Sequence, residues 1–369
     1  MKKRNVIIGI LIAVILIAIF VVQRNYRPTS TIKIGAALAL TGDAAPWGEE
    51  SLKAAQLAVD EINKNGGIQG KNLELVVEDM KSSSKDSVSA VSKLVNIDKV
   101  NAVMITWLDS YPGSESVVPK SMLLISQDAA IESVNTPLNH PNVFSLWYRT
   151  SAKAQVTIDA MSRSGVKTLS IVLQHDPYYT KLAEFLRKEA SQKGIKIVSE
   201  DLINPDNDTR TVIAKIGSQK PDAVFFGSYD PKLSFDFIKR YRELTKSKVA
   251  LYGDEFIEQD LTDKNFNSAW LEGIKYYVPA IPAKEFSNTF KDKYAHLPMF
   301  SAATTYDTVY VLAKSLQDNP RDVSSYMATS EFKTITYGLI TFDQVGGVIS
   351  KNAAITVRQI VNGKGVEIK

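Results

Sequence analysis

The residues able to do chemistry are few, and their spacing argues against catalysis. The chain has no cysteine and three histidines, His140, His175 and His296. Without cysteine there is no disulfide, thiolate metal site, cysteine nucleophile or lipid-modified cysteine. The histidines lie far apart, with neither the His-Glu-x-x-His spacing of a zinc site nor a Gly-x-Ser-x-Gly nucleophile turn. Gly66-Gly67-Ile68-Gln69-Gly70-Lys71-Asn72 has the glycines and lysine of a phosphate loop without its spacing, and Asn72 stands where Ser or Thr is required. The stretch Asn204-Pro205-Asp206-Asn207-Asp208-Thr209 lacks the glycine and the distal glutamate of a calcium loop, and Asp208 reads instead as a helix cap. The expectation is a protein that is not an enzyme, with no metal site and no cofactor.

What polar chemistry remains must be positioned by alternating strands and helices. The spacing predicts a buried strand over 32–38 and a helix over 48–65, where Leu52, Ala55, Val59 and Ile62 share a face and Gly66-Gly67 ends the run. Strands over 73–78, 102–105 and 122–125 alternate with helices over 86–96 and before Pro119. A second series has strands over 168–173, 196–202, 223–226 and 248–252, with helices over 152–164, 179–193, 211–219 and 231–245. Helices over 286–294 and 302–316 and strands over 339–342 and 354–359 follow. Strands separated by helices build parallel sheets. The prediction is an α/β chain of two doubly wound parallel-sheet lobes joined by three hinge strands. Residues 31–149 plus 280–337 form lobe one, and 150–279 plus 338–369 form lobe two.

Doubly wound sheets bind ligands beyond the carboxyl ends of their strands. That rule selects loops 40–48, 106–114 and 126–130 in lobe one, and 175–179, 228–231 and 253–256 in lobe two. They are rich in Ser, Tyr, Trp, Asp and Glu. Such loops suit a small polar or zwitterionic solute: hydroxyls and amides for an anionic end, a carboxylate for a cationic end, and aromatic walls. Each candidate has a plainer role open to it. Glu255 can cap the helix that follows, Trp47 can staple a helix start, and Tyr178 and Tyr229 can be rim or core aromatics. Ser110 and Ser126 are ordinary loop serines unless their loops converge.

The first 27 residues hold Lys2, Lys3, Arg4, Arg24 and Arg27 and no acid, so the remainder carries 39 basic against 40 acidic residues. A near-neutral body offers no broad cationic field for phosphate backbones, which argues against a nucleic-acid partner. The apolar run Val6–Val22 covers roughly 25 Å as a helix and reads as one N-terminal transmembrane anchor, followed by a linker to residue 30. A cleaved secretory signal is the alternative. The basic tip places the N-terminus in the cytoplasm and the body outside, held to the lipid bilayer by the helix.

Several strings, in order, resemble the leucine/isoleucine/valine-binding proteins of ATP-binding cassette (ABC) importers. They are Ile32-Lys33-Ile34-Gly35, Leu40-Thr41-Gly42 with Trp47-Gly48, and Ala58-Val59-Asp60-Glu61-Ile62-Asn63 with Gly66-Gly67-Ile68-Gln69-Gly70. Thr305-Tyr306-Asp307 and Phe342-Asp343 followed by Gly346 complete the set. The likeness covers almost everything after the leader and implies a type I periplasmic binding fold. It further implies a small solute held between two lobes and a closed form read by ABC permease subunits. It places ligand contacts at Trp47, Asp109, Ser110, Ser126, Asp128, Ala129, Tyr178, Tyr229 and Glu255, with Glu255 receiving an amino group. Where the family offers Ala, Ala and Thr, this chain reads Asp128-Ala129-Ala130, which sets a negative charge near the expected carboxylate position. That departure points to an amine-containing ligand whose carboxylate is masked or absent. A membrane-anchored sensing ectodomain using the same cleft is the alternative to transport.

Overall fold

The computed structural model describes residues 31–42, 44–106, 110–133, 141–204, 206, 208–245, 249–261, 267–279, 282–350 and 355–368. The first sheet grows outward from Ile32–Leu38 (β1), whose Ile34, Ala36, Ala37 and Leu38 are fully buried. A central parallel strand has helices on both faces, so it reads as an apolar run instead of an alternation. Leu73–Asp79 (β2) and Ala102–Ile105 (β3) flank it, and Leu123–Ser126 (β4) and Val143–Ser145 (β5) extend the sheet in the order β2-β1-β3-β4-β5, all parallel. Ala45–Lys64 (α1), Ser84–Asn96 (α2) and Ser110–Val117 (α3) cross over between them.

The second sheet is built from Thr168–Gln174 (β6), Lys196–Ile203 (β7), Ala223–Gly227 (β8), Ala250–Gly253 (β9) and Lys275–Pro279 (β10). Thr150–Arg163 (α4) leads into it; Pro177–Gln192 (α5), Thr209–Gln219 (α6), Pro231–Leu244 (α7) and the short Ile257–Asp260 (α8) and Ser268–Leu271 (α9) connect its strands. Acidic residues start three of these helices: Asp176, Asp208 and Asp230 accept from backbone N–H groups of Tyr178, Arg210 and Lys232 at 2.7, 3.1 and 2.8 Å. Each satisfies a donor that the helix itself leaves without a partner. Pro177 and Pro231 then occupy first-turn positions, where the missing N–H costs nothing. Asp208 is thus the cap its sequence context predicts.

The chain then returns to lobe one through Lys284–Tyr294 (α10), Phe300–Asp318 (α11), Val323–Thr329 (α12) and the antiparallel strands Phe332–Thr334 (β11), Gly338–Phe342 (β12) and Val348–Ser350 (β13). It ends with Ile355–Val361 (β14) and Lys364–Glu367 (β15), which complete the second sheet in the order β15-β14-β10-β9-β8-β6-β7, with β14 antiparallel to β10. The prediction hands the chain to lobe two near Gly338, and the structure departs from it there. Tyr337, Ile340, Phe342 and Val348 pack into one core with Ile34, Leu38 and Phe144, and the Phe144 and Phe342 rings sit 5.2 Å apart. The apolar face of β12 and β13 therefore lies against lobe one, and the next described strand, β14, belongs to the second sheet.

The first passage between the lobes, residues 146–149, is clamped by ionic and hydrogen-bonded contacts. Arg149 pairs with Asp343 and donates to the Val348 carbonyl at 3.2 Å, while Glu132 accepts from Ser151 N–H and Oγ at 2.8 and 3.0 Å. Asp343 also accepts from the N–H groups of Val345 and Gly347, folding the turn that brings it to Arg149. Among the described residues no helix is long and apolar enough to cross a membrane, and the predicted anchor at 6–22 lies outside those residues.

Candidate functional site

The first loop of lobe one is held against its own helix. A Cβ at Gly48 would stand 1.9 Å from the Ala39 carbonyl oxygen, so only glycine lets the first turn of α1 press on the backbone leaving β1. That contact sets Trp47 against Ala39, Ala44 and Met80 on one side. On the other side Trp47 meets lobe two, 6.2 Å from Tyr229 in an edge-on arrangement and 5.6 Å from Phe256. Tyr229 and Phe256 are themselves 6.1 Å apart, so three half-buried rings from two lobes close on one another. Trp47 Nε1 is buried and donates to no acceptor among the described residues.

Behind the rings lies a polar layer belonging to lobe two. Tyr229 donates to Asp176 at 3.0 Å and stacks on Tyr179 at 5.9 Å. Burial pushes the Asp176 carboxyl up, against the hydrogen bonds from Tyr178 N–H and Tyr229. Tyr179 donates to Asp254 at 2.7 Å. This pair passes over the end of β8, where a Cβ at Gly227 would lie 2.8 Å from the Tyr179 ring and 2.9 Å from the Asp254 carboxylate. Burial, and then the charge of neighbouring Glu255, raise Asp254 well above the ordinary carboxylate range and favour its neutral form.

Glu255 is the centre of this layer, and it does not cap a helix. Helix α8 begins at Ile257 with no side-chain cap, and the Glu255 carboxylate turns instead to the ammonium of Lys153 on α4. Both side chains are 1% exposed. Lys153 also meets the Tyr178 hydroxyl at 3.0 Å, and its Nζ lies over the rings of Trp147, Tyr178 and Tyr277 at 5.1, 5.0 and 5.8 Å. Tyr178 in turn donates to Glu255 Oε1 at 3.4 Å, whereas Glu255 Oε2 is buried without a hydrogen-bond partner among the described residues.

The structure thus brings together Trp47 with Tyr229, and Tyr178 with Glu255. Ser126, Asp128 and Ala129 form a separate turn in lobe one: Ser126 donates to Asp128 at 3.2 Å and accepts from the N–H groups of Asp128 and Ala129 at 3.3 and 3.1 Å. Asp109 and the side chain of Ser110 lie outside the described residues. Sequence reasoning missed Lys153, Trp147 and Tyr277, and reached Asp176, Asp254 and Phe256 only as members of the selected loops 175–179 and 253–256, without singling them out. For Lys153 a signal existed, because Thr150, Lys153, Ala154, Thr157, Ile158 and Met161 form the buried face of α4. A lysine inside such a stripe requires a buried counter-charge.

Two wound lobes in contact through strand-end side chains narrow the family, and residues 31–359 match the periplasmic binding proteins. The chain belongs to that family. A Leu/Ile/Val-binding protein of Rhizobium johnstonii is 31% identical over 227 residues, which are 60% of this chain and 61% of that relative, under two thirds of its length. A leucine-, isoleucine-, valine-, threonine- and alanine-binding protein of Pseudomonas aeruginosa is 25% identical over 350 residues, 89% of each chain. Among solved structures, the branched-chain amino acid transporter substrate-binding protein of Streptococcus pneumoniae, in complex with isoleucine, superposes with a TM-score of 0.74 at 22% identity. It covers 92% of this chain and 100% of its own. A solute-binding protein of R. palustris in complex with benzoate gives 0.76 at 20% identity, covering 92% of this chain and 96% of its own. At these identities the structures establish a shared periplasmic binding fold.

Proposed function

We propose that this chain is the extracytoplasmic solute-binding component of an ABC importer. It takes a small organic solute into the cleft between its lobes and is read by permease subunits when closed. The observation that carries the reading is the Trp47 ring of lobe one against Tyr229 and Phe256 of lobe two, a contact that exists only while the lobes are together. Binding is the whole of its chemistry: a ligand touching both lobes favours the closed form by its differential affinity, and no bond is made or broken. Support for the substrate class comes from relatives named for leucine, isoleucine and valine and from neighbours of the same fold holding isoleucine or benzoate. The run Val6–Val22 tethers the body to the outer face of the cell membrane in this reading. Small-angle scattering of the whole protein across a library of amino acids and small carboxylic acids tests it. At least one solute is expected to contract the particle in wild type and to bind more weakly to Trp47→Ala. Contraction by none of them, or equal binding by the variant, overturns the reading.

A further inference from the structure

We propose that Lys153 is a specificity-determining residue, a built-in ammonium that occupies Glu255 and restricts the cleft to solutes without an amino group. The inference rests on the binding role above, names the solute class for the same site, and replaces the amine-containing ligand expected from the sequence, because the Glu255 carboxylate meant to receive that amine is paired with Lys153.

Glu255 is the buried strand-end carboxylate that a cationic end of a ligand would seek, next to Tyr178 and one residue before Phe256 of the ring cluster. Its charge is already answered from within the fold. The Lys153 ammonium meets Glu255, the Tyr178 hydroxyl at 3.0 Å and three aromatic faces, so it is caged on every side the structure describes. Leaving this cage would strand the Glu255 charge away from water, and staying sets any arriving ammonium beside a like charge. Asp254, the adjoining carboxylate, gives no alternative: it accepts from Tyr179 at 2.7 Å and from Phe256 N–H at 3.1 Å. What Glu255 still offers is Oε2, buried and without a partner among the described residues, which can accept one hydrogen bond from a neutral donor such as a hydroxyl or an amide. The solute is therefore an amine-free molecule whose body faces the Trp47, Tyr229 and Phe256 rings.

The test uses pairs differing only in the ammonium group, with binding followed by calorimetry on the whole protein: leucine against 4-methylpentanoate, phenylalanine against 3-phenylpropanoate, and leucinamide against 4-methylpentanamide. In any pair that binds, the amine-free member is expected to bind at least about tenfold more tightly. Tighter binding by the ammonium member overturns the proposal. A second arm needs no natural ligand. Lys153→Met leaves Glu255 unanswered, and 3-methylbutylammonium is expected to raise the melting temperature of this variant by several degrees while leaving wild type unmoved. The double variant Lys153→Met with Glu255→Gln, which has no charge to answer, is expected to fold and to ignore the amine. Should the single variant fail to fold without the amine, folding in its presence is the same rescue. An amine that stabilises wild type and variant alike, or neither, overturns the proposal. Scattering that never contracts would end the transport reading while leaving the amine rescue to stand or fall by itself, so the two ideas fail by different observations.

Discussion

Replacing Lys153 by methionine should destabilise the protein more than any single surface change, and replacing both partners should undo most of that loss. The side chains of Lys153 and Glu255 are each 1% exposed, so the charges meet away from water. Methionine keeps the length and apolar stem of lysine but removes the ammonium. Glu255 would then keep only the Tyr178 hydroxyl at 3.4 Å, with Oε2 unpartnered as before. Breaking a buried pair from one side costs about 3–5 kcal/mol, because the remaining charge is left uncompensated. For a unit of 150–250 residues each kcal/mol shifts the melting temperature by about 2–4 °C, so the fall is roughly 6–20 °C. Replacing both residues, Lys153→Met with Glu255→Leu, removes both desolvation penalties and should be near neutral relative to wild type. Urea unfolding at pH 7, followed by near-ultraviolet circular dichroism of the surrounding tyrosines, measures all three proteins. A single variant within about 1 kcal/mol of wild type, or a double variant no better than the single one, would refute the claim that this pair is closed and dry.

Two further outcomes follow from close-packed positions in lobe one. Asp307 accepts from Ile335 and Thr336 N–H at 2.8 and 2.9 Å, yet burial raises its carboxyl to about 7. The folded state therefore holds this proton more tightly than the unfolded chain, and the contribution is full below about pH 4 and lost as pH rises through about 7. Between pH 5 and pH 8 wild type should lose about 2–3 kcal/mol that Asp307→Asn does not, and equal slopes in urea titrations at the two pH values would count against it. Gly48→Ala sets a methyl 1.9 Å from the Ala39 oxygen and must lift the first turn of α1; a loss of about 1–3 kcal/mol and an altered Trp47 fluorescence are expected, and an unchanged emission would show that the turn is looser than described.

Much of the framework was legible because local signals coincide with global ones. Residues 34–38 of the first strand and the strand at 102–105 are continuous apolar runs, as strands covered on both faces must be, and Asp-Pro pairs mark the starts of α5 and α7. The motifs behind the family resemblance serve the frame more than the ligand. Asn63 exchanges two hydrogen bonds with the Leu73 backbone at 2.7 and 2.8 Å, Glu61 receives the Tyr306 and Tyr310 hydroxyls, Asp307 holds the turn before β12, and Asp343 meets Arg149. The short strands β5, β10, β11 and β13 were not foreseen, since strands of a few residues between loops carry too little periodicity to show. The assignment of 338–342 to lobe two failed for a related reason: alternation in a two-sided strand says that it has a buried face and not which core buries it.

The site was legible as loops but not as charges, and the difference lies in distance along the chain. Glu255 stands out in the sequence as a strand-end carboxylate and through the family resemblance, but what it can bind depends on a lysine 102 residues away. Nothing within a few residues of Glu255 reports that partner. The report is at the other end, where Lys153 interrupts the apolar face of α4 and so demands a buried anion somewhere in the same lobe. A cation inside an apolar helical stripe and an acid at a strand end are each ambiguous by themselves. Together, paired at 1% exposure beside the Tyr178 hydroxyl, they supply from within the fold the ammonium that an amino acid would bring to Glu255.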